Sequence, residues 1–194
     1  MLNRLPGGVR ASVAAVTGLL DGRPDTTVVD VGAGSGDFAR RLRRVHDARV
    51  LVADHHAQVL AVARRNLAHT DGVTLLRADA RDLPLADGSV DVAHASLLIH
   101  HFDPPDAVAA LRELRRVARQ GVVVNDLRRG WLPYTVTAVT VLGLARGSYT
   151  RHDGLLSARR AYTLAELDDM AGAAGLRVAA RTGVFLPRVT TVYR

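Results

Sequence analysis

The sequence contains no cysteine and no lysine, and aromatic residues make up only 4% of its 194 residues. Without cysteine, disulfides and thiolate metal sites are excluded. All 26 basic residues are arginine, and they recur at helical spacing without interleaved aromatic residues. The net charge of +7 therefore indicates solvated helix faces and not a surface for nucleic acid. No carboxylate–histidine cluster has the spacing of metal ligands, so no metal is expected.

Long hydrophobic runs are also absent. The longest apolar stretch, 131–145, is interrupted by threonine and tyrosine and is shorter than the ~20 residues that a membrane-spanning helix needs. Residues 1–8 lack the apolar core of a secretory signal. The length suits one domain, and 48% hydrophobic residues are enough to form a core. We expect a cytoplasmic protein with no membrane partner.

Residues 28–42 read VVDVGAGSGDFARRL, and the rest of the chain is organised around them. An apolar run contains an acid, Asp30, and then glycine stands at every second position, at Gly32, Gly34 and Gly36. This pattern predicts a strand, a tight turn and a helix whose free N–H groups suit an anionic group such as a carboxylate. A dinucleotide fingerprint would place its third glycine one residue later, so a nicotinamide dehydrogenase is the weakest alternative.

Strands and helices alternate along most of the chain. Continuous apolar strands are typical of a parallel sheet that is covered on both faces. The predicted strands are 26–31, 49–53, 73–77, 90–95, 121–126, 177–181 and 189–193, and the predicted helices are 9–20, 36–45, 56–67 and 104–119. Thr163 and Glu166 have the spacing of a capping box and predict one more helix before the last two strands.

Polar residues follow several of these strands. Asp54 ends the second strand, eighteen residues after Gly36, where a carboxylate can accept hydrogen bonds from a ribose diol. It is also a candidate N-cap for the next helix, and both interpretations can hold together. Asp79 follows the third strand, and His100 and His101 follow the fourth. Ligands of open α/β sheets bind at the carboxyl ends of strands, so we expect these residues to share one site.

The glycine turn, Asp54, Asp79 and the run LPLADGSVDV at 83–92 resemble the class I S-adenosylmethionine-dependent methyltransferases from about residue 26 onward. The resemblance implies an α/β, Rossmann-like fold with a mostly parallel seven-stranded sheet, helices on both faces and an antiparallel C-terminal strand. It implies S-adenosylmethionine as cofactor, with Asp30 near its ammonium group and Asp79 and Ala80 at its adenine. The expected cofactor-binding residues are Asp30, Gly32, Ala33, Gly34, Gly36, Asp54, His55, Asp79, Ala80 and Ser96.

The segments IHHF at 99–102 and VVNDLRRG at 123–130 are similar to small-molecule methyltransferases of bacterial secondary metabolism, some of them associated with aromatic polyketide assembly. This similarity implies methyl transfer to a small acceptor, and we expect the oxygen of a phenol or enol. Histidine titrates near neutrality, which makes His101 or His100 the candidate base. In the alternative, one histidine packs on the cofactor and the other faces solvent. A non-methylating cyclisation or rearrangement and a non-catalytic partner subunit also stay open.

Residues 131–160 are predicted to form a lid helix and loop over the substrate. Trp131 and Tyr134 would provide flat walls for an aromatic acceptor, and His152 is a further candidate for contact with it. A dimer surface for the helix and a plain connector for the loop are equally supported. The single domain, 1–194, is thus divided into a leading helix (1–25), a cofactor-binding core (26–130), the lid (131–160) and a closing helix and strand pair (161–194). Because only 25 residues precede the first strand, we expect an open cleft or one capped by another subunit, and a homodimer stays open.

Overall fold

The computed structural model describes residues 8–129, 160–184, 186 and 188–194. The predicted lid, with Trp131, Tyr134 and His152, lies outside the described residues. Its predicted roles therefore stay predictions.

Seven strands of the described chain form one sheet, in the order β3-β2-β1-β4-β5-β7-β6. The strands are β1 (Thr27–Val31), β2 (Arg49–Asp54), β3 (Val73–Arg77), β4 (Val90–Ser96), β5 (Ala118–Leu127), β6 (Val178–Thr182) and β7 (Arg188–Tyr193). Neighbours pair in parallel from β3 to β5, and β7 pairs antiparallel with both β5 and β6. The predicted mostly parallel sheet with an antiparallel C-terminal strand is confirmed.

Helices cover both faces of the sheet. The helices are α1 (Val9–Leu20), α2 (Asp37–Leu42), α3 (Ala57–Asn66), α4 (Pro104–Val117) and α5 (Leu164–Ala173), with a 3₁₀ turn at Ile99–His101. A buried apolar cluster that includes Val16, Phe38 and Leu60 joins α1, α2 and α3 to one face of the sheet. A second cluster that includes Leu111 and Leu167 joins α4 and α5 to the other face. Burial of both faces explains why the central strands are apolar almost throughout.

Most element ends lie within two residues of the prediction, and two differ from it by three residues. Helix α2 ends at Leu42 instead of Val45, and β5 begins at Ala118 instead of Gly121. Helix α4 passes into β5 without a loop, because Ala118 already has extended dihedral angles (φ −92°, ψ 131°). The predicted capping box of α5 is present. In the described part of the chain, none of the helices has the length and apolarity that crossing a bilayer would require.

Several polar side chains are buried inside the sheet, although burial of an unpaired polar group is unfavourable. Five of them are Asp30 on β1, His94 on β4, Asn125 and Asp126 on β5, and Arg188 on β7. These five lie in the half of the sheet that contains the carboxyl ends of β1 and β4.

Candidate active site

The turn between β1 and α2 brings the backbone close to an open space. Gly34 has φ +57°, and no atom lies within 4 Å of the place where its Cβ would be. Gly36 has φ +80°, but its Cβ position is 2.6 Å from Cδ1 of Leu67, just beyond α3. Both glycines adopt left-handed angles that other residues rarely take. Gly34 thus faces the space that a ligand would fill, whereas Gly36 packs against the protein.

Alanine substitutions at these two glycines are expected to separate binding from folding. Each substitution places a side chain in a left-handed conformation, at a cost of about 1–2 kcal/mol. Gly34→Ala should also lower the affinity for S-adenosylmethionine roughly tenfold, the equivalent of about 1.4 kcal/mol, because its methyl group projects into the open space. Gly36→Ala should destabilise the fold more, because Leu67 has to move. Urea denaturation and calorimetric titration of both variants test this, and unchanged affinity in Gly34→Ala would contradict it.

Asp54 lies at the carboxyl end of β2, next to this turn. It is buried, its Oδ2 accepts a hydrogen bond from the Gly34 N–H (3.2 Å), and its Oδ1 accepts one from the His56 N–H (3.0 Å). The interpretation of Asp54 as an N-cap is wrong, because His56 occupies the N-cap of α3. Each carboxylate oxygen has a second lone pair. Asp54 is therefore held rigidly and retains acceptor capacity for a ligand.

Asp79, after β3, is held by Arg81. The Arg81 side chain donates to both carboxylate oxygens, from Nε to Oδ1 (3.0 Å) and from Nη2 to Oδ2 (2.7 Å), and the Arg81 N–H donates to Oδ1 (2.9 Å). These hydrogen bonds lower the pKa of Asp79 to about 2, so the carboxylate is ionised at neutral pH. Arg81 also binds Asp106 at the start of α4 (2.7 Å) and lies 5.8 Å from the ring centroid of Phe102.

These elements enclose a cleft of about 480 Å³ at the carboxyl ends of the parallel strands. Seven of the predicted site residues line it, namely Gly32, Gly34, Asp54, His55, Asp79, Ala80 and His101. The other predicted residues that the structure describes (Asp30, Ala33, Gly36, Ser96 and His100) are not part of its lining. Sequence reasoning missed Arg81, Leu98 and Phe102, which also line the cleft. The spacing of Arg81 two residues after Asp79 was the available signal for one of them.

A second cleft, of about 530 Å³, lies at the opposite edge of the sheet. Its lining includes Arg112, Arg115 and Arg119, near the end of α4 and the start of β5. It contains neither the glycine turn nor an acid at the end of a parallel strand. Ligands of open α/β sheets bind at the carboxyl ends of the strands, so the first cleft is the candidate site.

Asp30 lies beneath the glycine turn and pairs with a histidine on the neighbouring strand. Its Oδ1 is 2.7 Å from Nδ1 of His94, and the two residues are direct partners in the β1–β4 register. The His94 ring stacks on Phe38 of α2, with centroids 3.8 Å apart. Oδ2 of Asp30 is buried and has no hydrogen-bond partner among the described residues. An unpaired acceptor so close to the turn fits the ammonium group that the resemblance places near Asp30.

The two consecutive histidines after β4 have different surroundings. His100 is buried, its Nδ1 is 2.5 Å from Oδ1 of Asp126, and its backbone N–H donates to Oδ2 of the same residue (3.1 Å). His101 is exposed and lines the cleft. The centroids of the two rings are 4.2 Å apart. The end of β5 thus fixes one histidine, and the other borders the ligand space.

A buried arginine completes this end of the sheet. Arg188 donates from Nε to Oδ1 of Asn125 (3.0 Å) and from Nη2 to Oγ of Ser96 (2.8 Å). Asn125 in turn donates to Oγ of Ser12 on α1 (2.9 Å). Burial lowers the pKa of Arg188 to about 10, while attraction to Asp126 opposes that shift. The hydroxyl group of Ser96, a residue predicted to bind the cofactor, therefore accepts a hydrogen bond from Arg188 instead.

Comparison with known proteins agrees with this geometry. Residues 28–121 match the family model described as "Methyltransferase domain". Methyltransferase nsrG of Aspergillus novofumigatus is 42% identical over 100 residues, which cover 49% of this chain and 38% of that protein. An O-methyltransferase of Pyrenophora dematioidea is 35% identical over 101 residues, which cover 50% of this chain and 37% of that protein. Magnesium protoporphyrin IX methyltransferase of Synechocystis PCC 6803, solved with bound SAH, superposes with a TM-score of 0.68 at 21% identity, over 95% of this chain and 80% of that one.

The chain spans about two fifths of the length of these curated relatives. The structural similarity establishes the fold, and the matched family model covers the strands and turns that line the cleft. The matched family uses S-adenosylmethionine, and the open space at Gly34 fits that cofactor. Residues 28–121, just under half of the chain, therefore match the family described as "Methyltransferase domain", and the sheet around them has the fold of solved methyltransferases.

Proposed function

We propose that this chain transfers a methyl group from S-adenosylmethionine to a small-molecule acceptor, at the oxygen of a phenol or enol. The observation that carries the proposal is the composition of the cleft. Gly32 and Gly34 of the glycine turn, Asp54, Asp79 and His101 are all among its lining residues, which supports the proposal. A site for the cofactor and an imidazole group therefore share one space at the carboxyl edge of the sheet.

The residues of this chain would hold the cofactor at three points. Asp54 accepts hydrogen bonds from the ribose hydroxyls, and Gly34 leaves room for the methionine portion. Asp79, ionised and fixed by Arg81, would accept a hydrogen bond from the adenine amine, and Ala80 lines the cleft beside it. When bound, the cofactor supplies an electrophilic methyl group on a positively charged sulfur.

The acceptor end of the site requires positioning and a base. The sulfonium methyl group is already reactive, so in-line orientation accounts for much of the catalysis. A phenol or enol is weakly acidic and reacts faster when a base removes its proton, and histidine is suited to that role near neutral pH. His101 lines the cleft, as do His55 and His56 beside Asp54, and the ring of His100 lies against that of His101. The similarity to a protein named O-methyltransferase supports oxygen as the acceptor atom.

The proposal is tested first by calorimetric titration with S-adenosylmethionine and S-adenosylhomocysteine. The chain is then incubated with ¹³C-methyl-labelled S-adenosylmethionine and a panel of phenols and enolisable diketones. We expect binding of both cofactor forms and a product that gains one labelled methyl group with a methoxy carbon signal. The same acceptors with their hydroxyl groups already methylated serve as matched controls and should not react.

Each other outcome replaces the proposal by a specific alternative. A labelled methyl group bonded to carbon would move the reaction to a carbon acceptor. Conversion of an acceptor without gain of mass would indicate a cyclisation or rearrangement. Cofactor binding without conversion of any acceptor would indicate a non-catalytic subunit, and no binding would overturn the proposal for this chain.

A further inference from the structure

Leu97, the residue directly after β4, has a backbone conformation that is unfavourable for a leucine. Its φ is +54°, in the left-handed region that bulky residues rarely adopt. Among the described residues, the other two non-glycine residues with positive φ are Asp21 and Asp25, and aspartate tolerates this region better than leucine does. Leu97 is therefore a point of local strain, which a glycine at the same position would not have.

The structure holds Leu97 in this conformation from both sides. Before it, the Leu97 N–H donates to the backbone oxygen of Asn125 on β5 (2.9 Å). After it, Cδ1 of Leu98 lies 2.8 Å from the position that a Cβ on Gly32 would occupy, and the Leu98 oxygen accepts from the His101 N–H (3.0 Å). The end of β4 and the following turn are both fixed, so the residue between them has to take the left-handed angles.

The side chain of Leu97 contributes to the cleft and not to the core. Leu97, Leu98 and Phe102 all line the cleft that contains the glycine turn. Leu98 and Phe102 also pack against the buried cluster that joins α4 and α5 to the sheet, whereas Leu97 belongs to neither of the two apolar clusters of the described chain. Strained residues are concentrated at functional sites. Because glycine would relieve the strain, the leucine side chain itself is the feature that the site uses.

The order of the strands indicates which part of the site Leu97 faces. In the proposed arrangement, Asp79 after β3, Asp54 after β2 and Gly34 after β1 hold the adenine, the ribose and the methionine portion of the cofactor. These strands are neighbours in the sheet in that order, and the next strand is β4. Leu97 therefore follows the methionine portion, on the side of the cleft that also contains His101 and where the acceptor would bind.

We propose that Leu97 is a specificity-determining residue, whose side chain is the apolar wall on which the ring of the acceptor packs beside the transferred methyl group. This inference rests on the proposed function and narrows its acceptor to a molecule with an apolar ring face next to the reacting oxygen. A polar, non-aromatic acceptor would place hydrogen-bonding groups against a side chain that cannot satisfy them. Leu98 and Phe102 extend the same apolar lining.

The first test measures the strain at position 97, with no ligand present. Leu97→Gly relieves the left-handed strain and Leu97→Ala keeps it. In urea denaturation the unfolding equilibrium constant of Leu97→Gly should therefore be about fivefold smaller, after the greater flexibility of the unfolded glycine chain is included. Leu85 is the matched control, because it is partly buried, lies outside the cleft lining and has no positive φ. There the order should reverse, with Leu85→Ala about threefold better than Leu85→Gly.

The second test measures the role of the side chain in acceptor choice. With a phenol that the wild type methylates, kcat/KM should fall about tenfold in both Leu97→Gly and Leu97→Ala, and less than about threefold in Leu97→Met, which keeps an apolar wall. The same phenol with one added ring methyl group fills the vacated space. Its kcat/KM relative to the parent phenol should therefore rise about tenfold in the glycine and alanine variants. The dissociation constant for S-adenosylhomocysteine should stay within about twofold, and the Leu85 variants should change none of these values.

The outcomes separate this inference from the proposed function. Greater stability of Leu97→Ala than of Leu97→Gly would show that the leucine is unstrained and would overturn the inference. If the wild type methylates the phenol and the ring-methyl ratio is the same in all variants, Leu97 does not determine specificity, and the proposed function stands. A loss that appears only in the dissociation constant of the cofactor would assign Leu97 to the cofactor and would also overturn the inference. If the wild type methylates no acceptor, the proposed function fails and this inference fails with it, whatever the order of stabilities.

Discussion

Replacing Asp54 with alanine should raise the dissociation constant for S-adenosylmethionine about 100-fold, or about 2.7 kcal/mol. A hydrogen bond to a charged group contributes about 1.5–3 kcal/mol, and a ribose diol can form two of them. Asp54 is fixed for this role by the N–H groups of Gly34 and His56, so its carboxylate does not need to be ordered when the ligand binds. Pre-organisation of this kind is what makes a single residue important for affinity.

Calorimetric titration of the wild type, Asp54→Ala and Asp54→Asn with S-adenosylhomocysteine measures the effect directly. Because the substitutions also remove acceptors for Gly34 and His56, each variant is first checked by thermal unfolding. A second ligand pair isolates the diol: the wild type should prefer adenosine to 2′,3′-dideoxyadenosine, and Asp54→Ala should not. Asp47→Asn, whose side chain is 98% exposed, is the matched control. Equal discrimination by wild type and Asp54→Ala would show that Asp54 does not bind the diol.

The sequence predicted this part of the site because its signals are local. The acids at the ends of β2 and β3 stand directly after apolar runs, and the glycine spacing fixes the turn before α2. Since parallel strands bring their carboxyl ends to one edge, positions along the chain are enough to predict that Gly34, Asp54 and Asp79 share a cleft. The mostly parallel seven-stranded sheet with an antiparallel C-terminal strand was predicted from the resemblance, and the structure confirms it.

The parts that the sequence could not predict are contacts between distant polar residues. His94 is one of three polar residues in β4, and nothing along the chain indicates that its partner is Asp30, 64 positions away. Arg188 stands just before the last predicted strand, and no pattern indicates that it is buried against Asn125 and Ser96. The register between neighbouring strands determines such pairs, and short apolar strands specify that register only through their packing.

Element ends were predicted less well for a related reason. The helical spacing of apolar residues in α4 continues to Val117. The next two residues, Ala118 and Arg119, are compatible with either a helix or a strand. The structure extends β5 to Ala118 because Val90 of β4 pairs with it. Pairing with β4 therefore determines that these residues are extended, and their intrinsic secondary-structure propensity does not.

Replacing Arg188 with methionine should destabilise the fold by about 1–3 kcal/mol, the usual cost of leaving a buried hydrogen-bonding group without its partner. Arg188 is 0% exposed, and the carboxylate whose charge it balances, Asp126, is 3% exposed. Methionine fills much of the same volume but leaves Asp126 with less compensation for its burial. It also removes the donors to Asn125 and Ser96, and so loosens the link between β4, β5 and β7.

Urea denaturation of the wild type and Arg188→Met gives the loss of unfolding free energy. The double variant Arg188→Met with Asp126→Asn should recover part of it, since a neutral amide no longer requires a counter-charge, and the double-mutant cycle measures the coupling between the two residues. Replacing the exposed Arg115 with methionine is the matched control and should change stability by less than about 0.5 kcal/mol. If Arg188→Met were as stable as the wild type, the charge of Asp126 would not depend on Arg188. The carboxylate that positions His100 would then be held ionised by its hydrogen bonds from His100 and Leu127 alone.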